Sequence, residues 1–237
     1  MWQVLKNRWR QGFRTAPYPD KEPDFPERFR GRPVPAENGP GVDLGKSLFN
    51  EDALQDRPPA VIGYSRDYRM AVSRREDLLL MKEGLKLAGA LDQKIKKLYG
   101  RSLKLRAVCA GSCNGCDSEV QALGNVVFDL SRFGIQFVAS PRHADGLLVT
   151  GMVTRNMETA LKKTYEAVPD PRIVIALGAC ALSGGPFAGS PQTRDGVDGV
   201  IPVDLYVPGC PPHPYTILDG LLRLLGKLKE KTPGRKS

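Results

Sequence analysis

Four cysteines of this 237-residue chain stand in turns rich in glycine or proline, where thiolates could bind a metal or carry electrons. Cys113 and Cys116 flank an Asn-Gly pair, Cys180 lies in Gly-Ala-Cys-Ala, and Cys210 lies in Pro-Gly-Cys-Pro-Pro. Glycine beside a thiol lets the backbone come close to a bulky ligand, and backbone N–H groups could then donate hydrogen bonds to cluster sulfides. These turns indicate a metal or redox site.

The spacing of the cysteines leaves three kinds of site open. A zinc site with four thiolates usually pairs one Cys-x-x-Cys with another at short range, whereas here the third and fourth cysteines follow 64 and 30 residues further along. A redox dithiol would leave Cys180 and Cys210 unexplained. The spacing therefore favours an iron–sulfur cluster over zinc, and both over a dithiol. We interpret the fifth cysteine, Cys109, as a small buried hydrophobe, with a ligand role as the lesser alternative.

Short apolar runs alternate with amphipathic segments from residue 103 onward. The pattern predicts strands over 103–110, 135–139, 146–150, 173–177 and 203–207, and helices over 117–132, 156–167 and 214–228. Such alternation predicts an α/β fold with a mostly parallel sheet and helices on both faces. Ligands of such sheets lie at the carboxyl ends of the strands. All four cysteines follow predicted strands, so we expect them to converge on one edge.

The first hundred residues have a different character. Nine of the 20 prolines fall within residues 1–60 and predict an extended, irregular segment, whose scattered aromatic residues suggest that it lies against a surface. A capping-box pattern, Ser73-Arg-Arg-Glu76, and an apolar repeat from Leu78 to Leu98 predict a helix ending at Gly100. The predicted organisation is therefore a docking arm (1–75), a linking helix (76–100), an α/β domain (101–228) and a basic tail (229–237).

The net charge of +9 is unevenly distributed. Residues 1–106 carry a net charge of +8, residues 107–226 a net of −3, and the last 11 residues a net of +4. This pattern favours docking onto an acidic partner or anionic lipid headgroups. Nucleic acid is disfavoured because no binding motif accompanies the charge. No apolar run approaches the ~18 residues of a membrane span, and no signal-peptide pattern is present, so we expect a soluble cytoplasmic chain.

Four motifs resemble one family: Gly111-Ser-Cys-Asn-Gly-Cys-Asp-Ser-Glu119, Thr150-Gly-Met-Val-Thr-Arg-Asn156, Gly178-Ala-Cys-Ala-Leu-Ser-Gly-Gly185 and Val207-Pro-Gly-Cys-Pro-Pro-His-Pro214. That family is the small, cluster-bearing subunit of membrane-bound [NiFe] hydrogenases and formate hydrogenlyase, related to the PSST-type subunit of respiratory complex I. The resemblance covers residues 103–226. It implies a flavodoxin-like domain and one [4Fe–4S] cluster held by Cys113, Cys116, Cys180 and Cys210.

The resemblance also implies roles for other residues. Glu119 is similar to a family glutamate near the cluster, which makes it a candidate for a proton path together with His213; as alternatives, each simply begins a helix. Arg155 is a candidate for the surroundings of the ligands or for a subunit interface. The remaining candidates beside the cluster are glycines: Gly111, Gly115, Gly178 and Gly209. Met152 departs from the proline expected in its motif.

Two segments of the arm carry a second resemblance. Residues 17–33 and 62–77 are similar to the opening and closing segments of the ferredoxin-like subunit of the same complexes, without its cysteine-rich middle. The resemblance implies a fusion remnant that retains docking strands.

The predicted function is that of an electron-transfer subunit, with no substrate chemistry of its own, in a [NiFe]-hydrogenase-type complex. Its partners would be a large catalytic subunit, a ferredoxin-like cluster subunit and membrane subunits, at the cytoplasmic face of the inner membrane. The Cys-Asn-Gly-Cys spacing favours this branch, because complex I subunits have two adjacent cysteines there. The alternative is a complex I-type subunit feeding a quinone. A non-redox scaffold and a zinc-stabilised module are remote alternatives.

Overall fold

The computed structural model describes residues 2–37, 39, 41–50, 61–82, 84–91, 99 and 102–228. In chain order the elements are helix α1 (Trp2–Gln11), strands β1 (Pro33–Pro35), β2 (Val42–Asp43), β3 (Val61–Tyr64), β4 (Leu79–Leu80) and β5 (Leu103–Cys109), helix α2 (Gly115–Ala122), strands β6 (Ile135–Phe137) and β7 (Gly146–Thr150), helix α3 (Arg155–Glu166), strand β8 (Ile173–Leu177), helix α4 (Ala179–Ser183), strand β9 (Leu205–Val207) and helix α5 (Pro214–Leu224). Short 3₁₀ turns lie at Arg75–Leu78, Leu130–Phe133, Pro141–His143 and Gly185–Phe187.

Strands β5 to β9 form a parallel sheet in the spatial order β6-β5-β7-β8-β9. Numbered within the domain, this is the flavodoxin-like order 2-1-3-4-5. Every residue of β7 and β8 is buried, because helices and the arm cover both faces of the sheet. The predicted α/β class, parallel sheet and flavodoxin-like fold are confirmed.

Alternate residues of the strands pack in two separate hydrophobic cores, because successive side chains of a strand point to opposite faces of the sheet. On one face Leu148 and Ile175 pack with apolar residues of α2 and α5. On the other face Leu147 and Val174 pack with apolar residues of α3 and α4. The arm contributes to both cores, which makes it part of the domain's interior packing.

The arm packs against the α/β domain through aromatic side chains and a strand edge. Tyr18 and Phe25 are buried in the core that contains α5. The backbone of Val72 exchanges two hydrogen bonds with Tyr206 of β9, of 3.0 and 2.9 Å, and thereby covers an edge of the sheet. Pairing of β1 with β3 brings together the two segments that resemble the ferredoxin-like subunit.

The predicted linking helix over 76–100 is wrong for the described residues 76–82 and 84–91. Arg75–Leu78 forms a 3₁₀ turn, and Leu79–Leu80 pairs with β2 as a strand. Leu78, the first apolar residue of the predicted helical repeat, is buried in the 3₁₀ turn. In the strand that follows, Leu80 is buried and Leu79 is 47% exposed. Tertiary pairing overrides the local pattern here. Apart from Tyr99, the rest of that helix lies outside the described residues.

Two further predictions needed correction. The helix predicted over 117–132 ends at Ala122, because Gly124 follows and the Asn125 side chain accepts hydrogen bonds from the N–H groups of Val127 and Phe128. Residues 2–11, predicted as irregular, form α1. The prolines that suggested irregular structure begin only at Pro17.

A buried carboxylate of α5 pairs with an arginine of the same helix and also bonds to the arm. Asp219 is 1% exposed; its carboxylate accepts hydrogen bonds from the Arg223 Nε at 2.7 Å and from the Tyr18 hydroxyl at 3.2 Å. Burial raises the pKa of Asp219, and Arg223 opposes that rise. The Arg223 guanidinium therefore stabilises the charged form of the carboxylate against the cost of its burial.

Replacing Arg223 with leucine is expected to lower the free energy of unfolding by about 3 kcal/mol at pH 7, because it leaves a buried carboxylate without its cation. Loss of the cation raises the pKa of Asp219 further, so acidification neutralises the carboxylate and the deficit shrinks as the pH falls towards 5. Urea unfolding at both pH values measures this. Arg74→Leu is the control, since the pair it makes with Glu76 is 67% and 71% exposed and contributes under about 1 kcal/mol. Equal losses in the two variants would contradict the assignment.

Candidate metal centre

Three loops at the carboxyl edge of the sheet carry the four cysteines. Cys113 lies between β5 and α2, and Cys116 lies in the first turn of α2. Cys180 lies in α4 directly after β8, and Cys210 lies between β9 and α5. The Gly178 N–H donates to the Val207 carbonyl at 2.9 Å, and the Ala179 N–H donates to the Gly209 carbonyl at 2.9 Å. These bonds join the Cys180 loop to the Cys210 loop.

The four thiols are near enough to influence one another's ionisation. Burial, reinforced by the charges of the other three, raises the pKa of Cys116 to about 12. Burial also raises the pKa of Cys180 and of Cys210, and Cys113 adds to both shifts. Four thiolates gathered at such a place need a cation to hold them together, because burial and mutual repulsion both disfavour their charge.

Two glycines keep the space around these sulfurs clear. A Cβ on Gly178 would lie 2.5 Å from the Cys116 Sγ, and a Cβ on Gly185 would lie 2.9 Å from the Cys180 Sγ. Gly178 has φ +86° and ψ 158°, a combination that is essentially restricted to glycine. The room beside Cys116 and Cys180 therefore depends on the absence of a side chain.

A polar network that the sequence analysis missed holds the first cysteine loop. The Asp117 carboxylate accepts hydrogen bonds from the Ser112 hydroxyl and, at 2.8 Å, from the Thr150 hydroxyl. The Ser112 hydroxyl also accepts from the Asn114 N–H at 3.1 Å. Asn114 adopts the left-handed conformation, with φ 72°, which asparagine tolerates. The only sequence signal was the placement of Ser112 and Asp117 inside the motif.

Cys109 is not the buried hydrophobe that we expected. The residue is exposed at the end of β5, and its Sγ lies 3.3 Å from the Ser112 Oγ. Burial of part of the thiol opposes ionisation, but hydrogen bonds from Ser112 and Gly111 outweigh it and lower the pKa of Cys109. The contact that the structure gives the Cys109 thiol is therefore with Ser112 of the first cysteine loop.

Glu119 and His213 line one cavity beside the Cys210 loop. The cavity has a volume of about 210 Å³, and its walls include Gly209 and Pro211. Burial raises the pKa of Glu119 and lowers that of His213. His213 also caps α5, where its Nδ1 accepts from the Tyr215 N–H at 3.2 Å. Both residues therefore lie near a cysteine loop, and His213 has the helix-start role as well.

The other residues predicted to lie beside the cluster are glycines of the cysteine loops and Arg155, and they differ in their distance from the thiols. Gly111 and Gly209 lie in the cysteine loops at positive φ. Gly115 begins α2, and a Cβ there would lie 3.6 Å from the Cys113 Sγ. Arg155 is exposed at the start of α3, and its guanidinium makes no hydrogen bond or ion pair with the described residues. Of the predicted glycines, Gly115 and Gly178 thus lie beside a thiol, and Arg155 lies on the surface.

The arm supports the helix that carries Cys180. The Arg75 guanidinium donates to the Leu182 carbonyl, and the Ser183 hydroxyl donates to the Gly45 carbonyl at 2.7 Å. Both contacts lie within three residues of Cys180. The arm therefore helps to position one of the four thiols.

The donor set consists of four sulfurs at one edge of the sheet. Among the described residues, no three Cys, His, Asp or Glu side chains form the tight group that holds a single metal ion. A tetrahedral zinc ion with 2.3 Å bonds would draw its sulfurs to about 4 Å from one another. In a [4Fe–4S] cluster each thiolate binds a different iron, so the sulfurs stand further apart. Glycine at 178 and 185 leaves room beside the Cys116 and Cys180 sulfurs, and that room suits the larger group.

The protein is therefore an α/β protein with a flavodoxin-like sheet and four thiols at the carboxyl edge of that sheet. Other proteins of this fold class bind nucleotides at the same edge. The family model described as NADH ubiquinone oxidoreductase, 20 kDa subunit, matches residues 113–224. The chain is 50% identical over 138 residues to the probable membrane-bound hydrogenase subunit mbhJ of Pyrococcus furiosus, covering 58% of this chain and 83% of that protein. The chain belongs to this family of 20 kDa-type oxidoreductase subunits.

Other relatives span both branches of the family. Formate hydrogenlyase subunit 7 of Escherichia coli is 45% identical, and the match covers 60% of this chain but only 55% of that protein. An NADH-quinone oxidoreductase subunit of Phocaeicola vulgatus is 45% identical, covering 60% of this chain and 71% of that protein. A chain of the membrane-bound sulfane sulfur reductase, an archaeal respiratory membrane complex, matches with a TM-score of 0.50 and 34% identity, covering 57% of this chain and 75% of that one.

Proposed function

We propose that this chain is the electron-transfer subunit of a membrane-associated [NiFe]-hydrogenase-type complex and holds one [4Fe–4S] cluster through Cys113, Cys116, Cys180 and Cys210. When bound, the cluster supplies one-electron transfer between the active site of a large subunit and further clusters. The observation that carries the proposal is that these four cysteines follow strands of one parallel sheet, and that hydrogen bonds join the Cys180 loop to the Cys210 loop.

The protein's own residues have three tasks in this proposal. The four thiolates bind the irons, and glycines at 178 and 185 leave the space that the cluster needs. Asp117 holds the Cys113–Cys116 loop through Ser112 and Thr150. Buried apolar surroundings and backbone N–H groups near the sulfurs tune the reduction potential. Glu119 and His213, on a shared cavity, are the candidates for moving a proton beside the site.

The proposed partners are a large catalytic subunit, a ferredoxin-like subunit and membrane subunits. Support comes from the relatives, which are named as subunits of a membrane-bound hydrogenase and of formate hydrogenlyase. Among the described residues no helix is long and apolar enough to cross a bilayer. We propose peripheral attachment at the cytoplasmic face. The arm, whose two matched segments meet at β1 and β3, is proposed to be a remnant of a fused ferredoxin-like subunit.

A quinone-reducing complex of the complex I type is the second candidate, favoured by the match to the NADH-quinone oxidoreductase subunit of Phocaeicola vulgatus. The Cys-Asn-Gly-Cys spacing supports the hydrogenase branch. The neighbouring large subunit discriminates between them, because four nickel-binding cysteines are expected there only in a hydrogenase.

Low-temperature EPR of the reduced, anaerobically purified complex tests the cluster assignment. We expect one cubane signal from this chain, with about four irons and four sulfides per chain. Metal analysis of the same sample should find iron in excess of zinc. Zinc without iron would overturn the proposal, and a signal of the two-iron type would revise the cluster.

A further inference from the structure

Helix α1 is a helix without a packing partner in the described part of the chain. None of its ten residues is buried. Trp2 and Trp9 are 69% and 89% exposed, and Leu5 between them is 57% exposed. Exposed tryptophan rings are costly to leave in water. The described part of the domain does not cover the apolar side chains of α1, so we expect another surface to do so.

The residues of α1 are sorted by face. At 3.6 residues per turn, Trp2, Leu5 and Trp9 project from one side. Gln3, Asn7 and Gln11 project from the opposite side. Val4, which is 69% exposed, lies beside Gln11 on that opposite side. One side of the helix is therefore rich in tryptophan, and the other carries three uncharged polar residues and one valine.

Basic residues flank the apolar side, and no acidic residue balances them. Residues 2–14 contain Lys6, Arg8, Arg10 and Arg14, and the first acidic residue of the chain is Asp20. Long basic side chains can lay their methylene stems along apolar surface while the charged ends reach outward. A surface that accepts both tryptophan rings and four cations must be negatively charged at its boundary and apolar beneath that boundary.

We infer that α1 lies in the interface of a bilayer and binds anionic lipid headgroups. An anionic bilayer surface meets both requirements, since tryptophan rings occupy its boundary region and phosphates attract the flanking cations. An acidic protein groove could also accept tryptophan and arginine, and it is the alternative that the experiments below separate from a bilayer. The inference deepens the proposed function, on which it rests, by naming the element of this chain that touches the membrane.

Tryptophan fluorescence provides a direct test, because Trp2 and Trp9 are the only two tryptophans of the chain. Full-length protein is mixed with vesicles of phosphatidylglycerol and phosphatidylcholine in equal parts, or of phosphatidylcholine alone. We expect a blue shift of the emission and co-sedimentation with the anionic vesicles, both weakened by salt. Iron content is measured on the same samples, so failure of cluster binding and failure of lipid binding are separate results.

Two pairs of variants separate the helix from the general positive charge of the chain. The double variant K6E/R10E should weaken binding to the anionic vesicles roughly a hundredfold. R142E/K163E makes the same charge change at exposed positions of the α/β domain and should alter binding less than about threefold. By sedimentation, W2S/W9S should also lose binding, whereas Q3S/N7S on the polar side should retain it.

Two outcomes would overturn the inference. Equal losses in K6E/R10E and R142E/K163E would mean that net charge alone drives adsorption. Emission that stays unshifted with anionic vesicles, but is already blue-shifted in the lipid-free complex, would mean that a protein partner covers α1.

Discussion

Cys180→Ser is expected to reduce bound iron from about four to below about one per chain and to abolish the EPR signal of the reduced protein. A serine hydroxyl is a far poorer ligand for iron than a thiolate, and the lost sulfur is one of the four proposed ligands. Iron and sulfide analysis of anaerobically purified protein, with the EPR spectrum, measures the effect.

Cys109→Ser is the matched control for this experiment. Cys109 is exposed, and its thiol contacts Ser112 rather than any cysteine of the site. The variant should therefore retain iron within about a tenth of the wild-type content. Iron loss in Cys109→Ser with retention in Cys180→Ser would contradict the ligand assignment and make Cys109 a ligand.

Gly178→Ala should impair the same site without removing any sulfur. The new Cβ would lie 2.5 Å from the Cys116 Sγ, which displaces that thiol. The backbone at Gly178, with φ +86° and ψ 158°, adds a conformational cost of about 1–3 kcal/mol for alanine. We expect at least a severalfold loss of bound iron together with a lower melting temperature.

Gly63→Ala separates this local effect from a general sensitivity to glycine replacement. A Cβ on Gly63 would meet nothing within 4 Å, and its φ is not in the left-handed range. Iron content and melting temperature should therefore remain near the wild-type values. Full iron loading in Gly178→Ala would show that the space beside Cys116 is not needed, and would count against a bulky group there.

Short-range features of the domain were predictable because neighbouring residues encode them. The apolar run Ile173–Leu177 is typical of a buried strand, and the structure has that strand with the same bounds. The turn glycines beside Cys180 and Cys210 mark the ends of strands. Placing those ends on one edge needed only the rule that parallel strands share their direction, so the position of the cysteines followed from the predicted order of elements.

Errors arose where contacts between distant segments decide the outcome. Leu78 fits a helical repeat with Met81 and Leu85, yet pairing of Leu79–Leu80 with β2 makes that segment a strand. Cys109 looked like a core residue because it ends an apolar strand, but the sheet ends there and leaves the thiol exposed. Asp117 is satisfied by Thr150, 33 residues away, and no local pattern announces such a bond.

The sequence by itself determined the α/β class, the order of strands and helices in the domain, and which cysteines are candidates for a common site. These properties depend on side-chain period, turn residues and motif spacing. Only the tertiary structure decided which thiols influence one another, why Gly178 and Gly185 cannot carry a side chain, and how the arm supports the Cys180 helix. Those properties depend on the packing of residues far apart along the chain, which is known only once the sheet and the arm are in place.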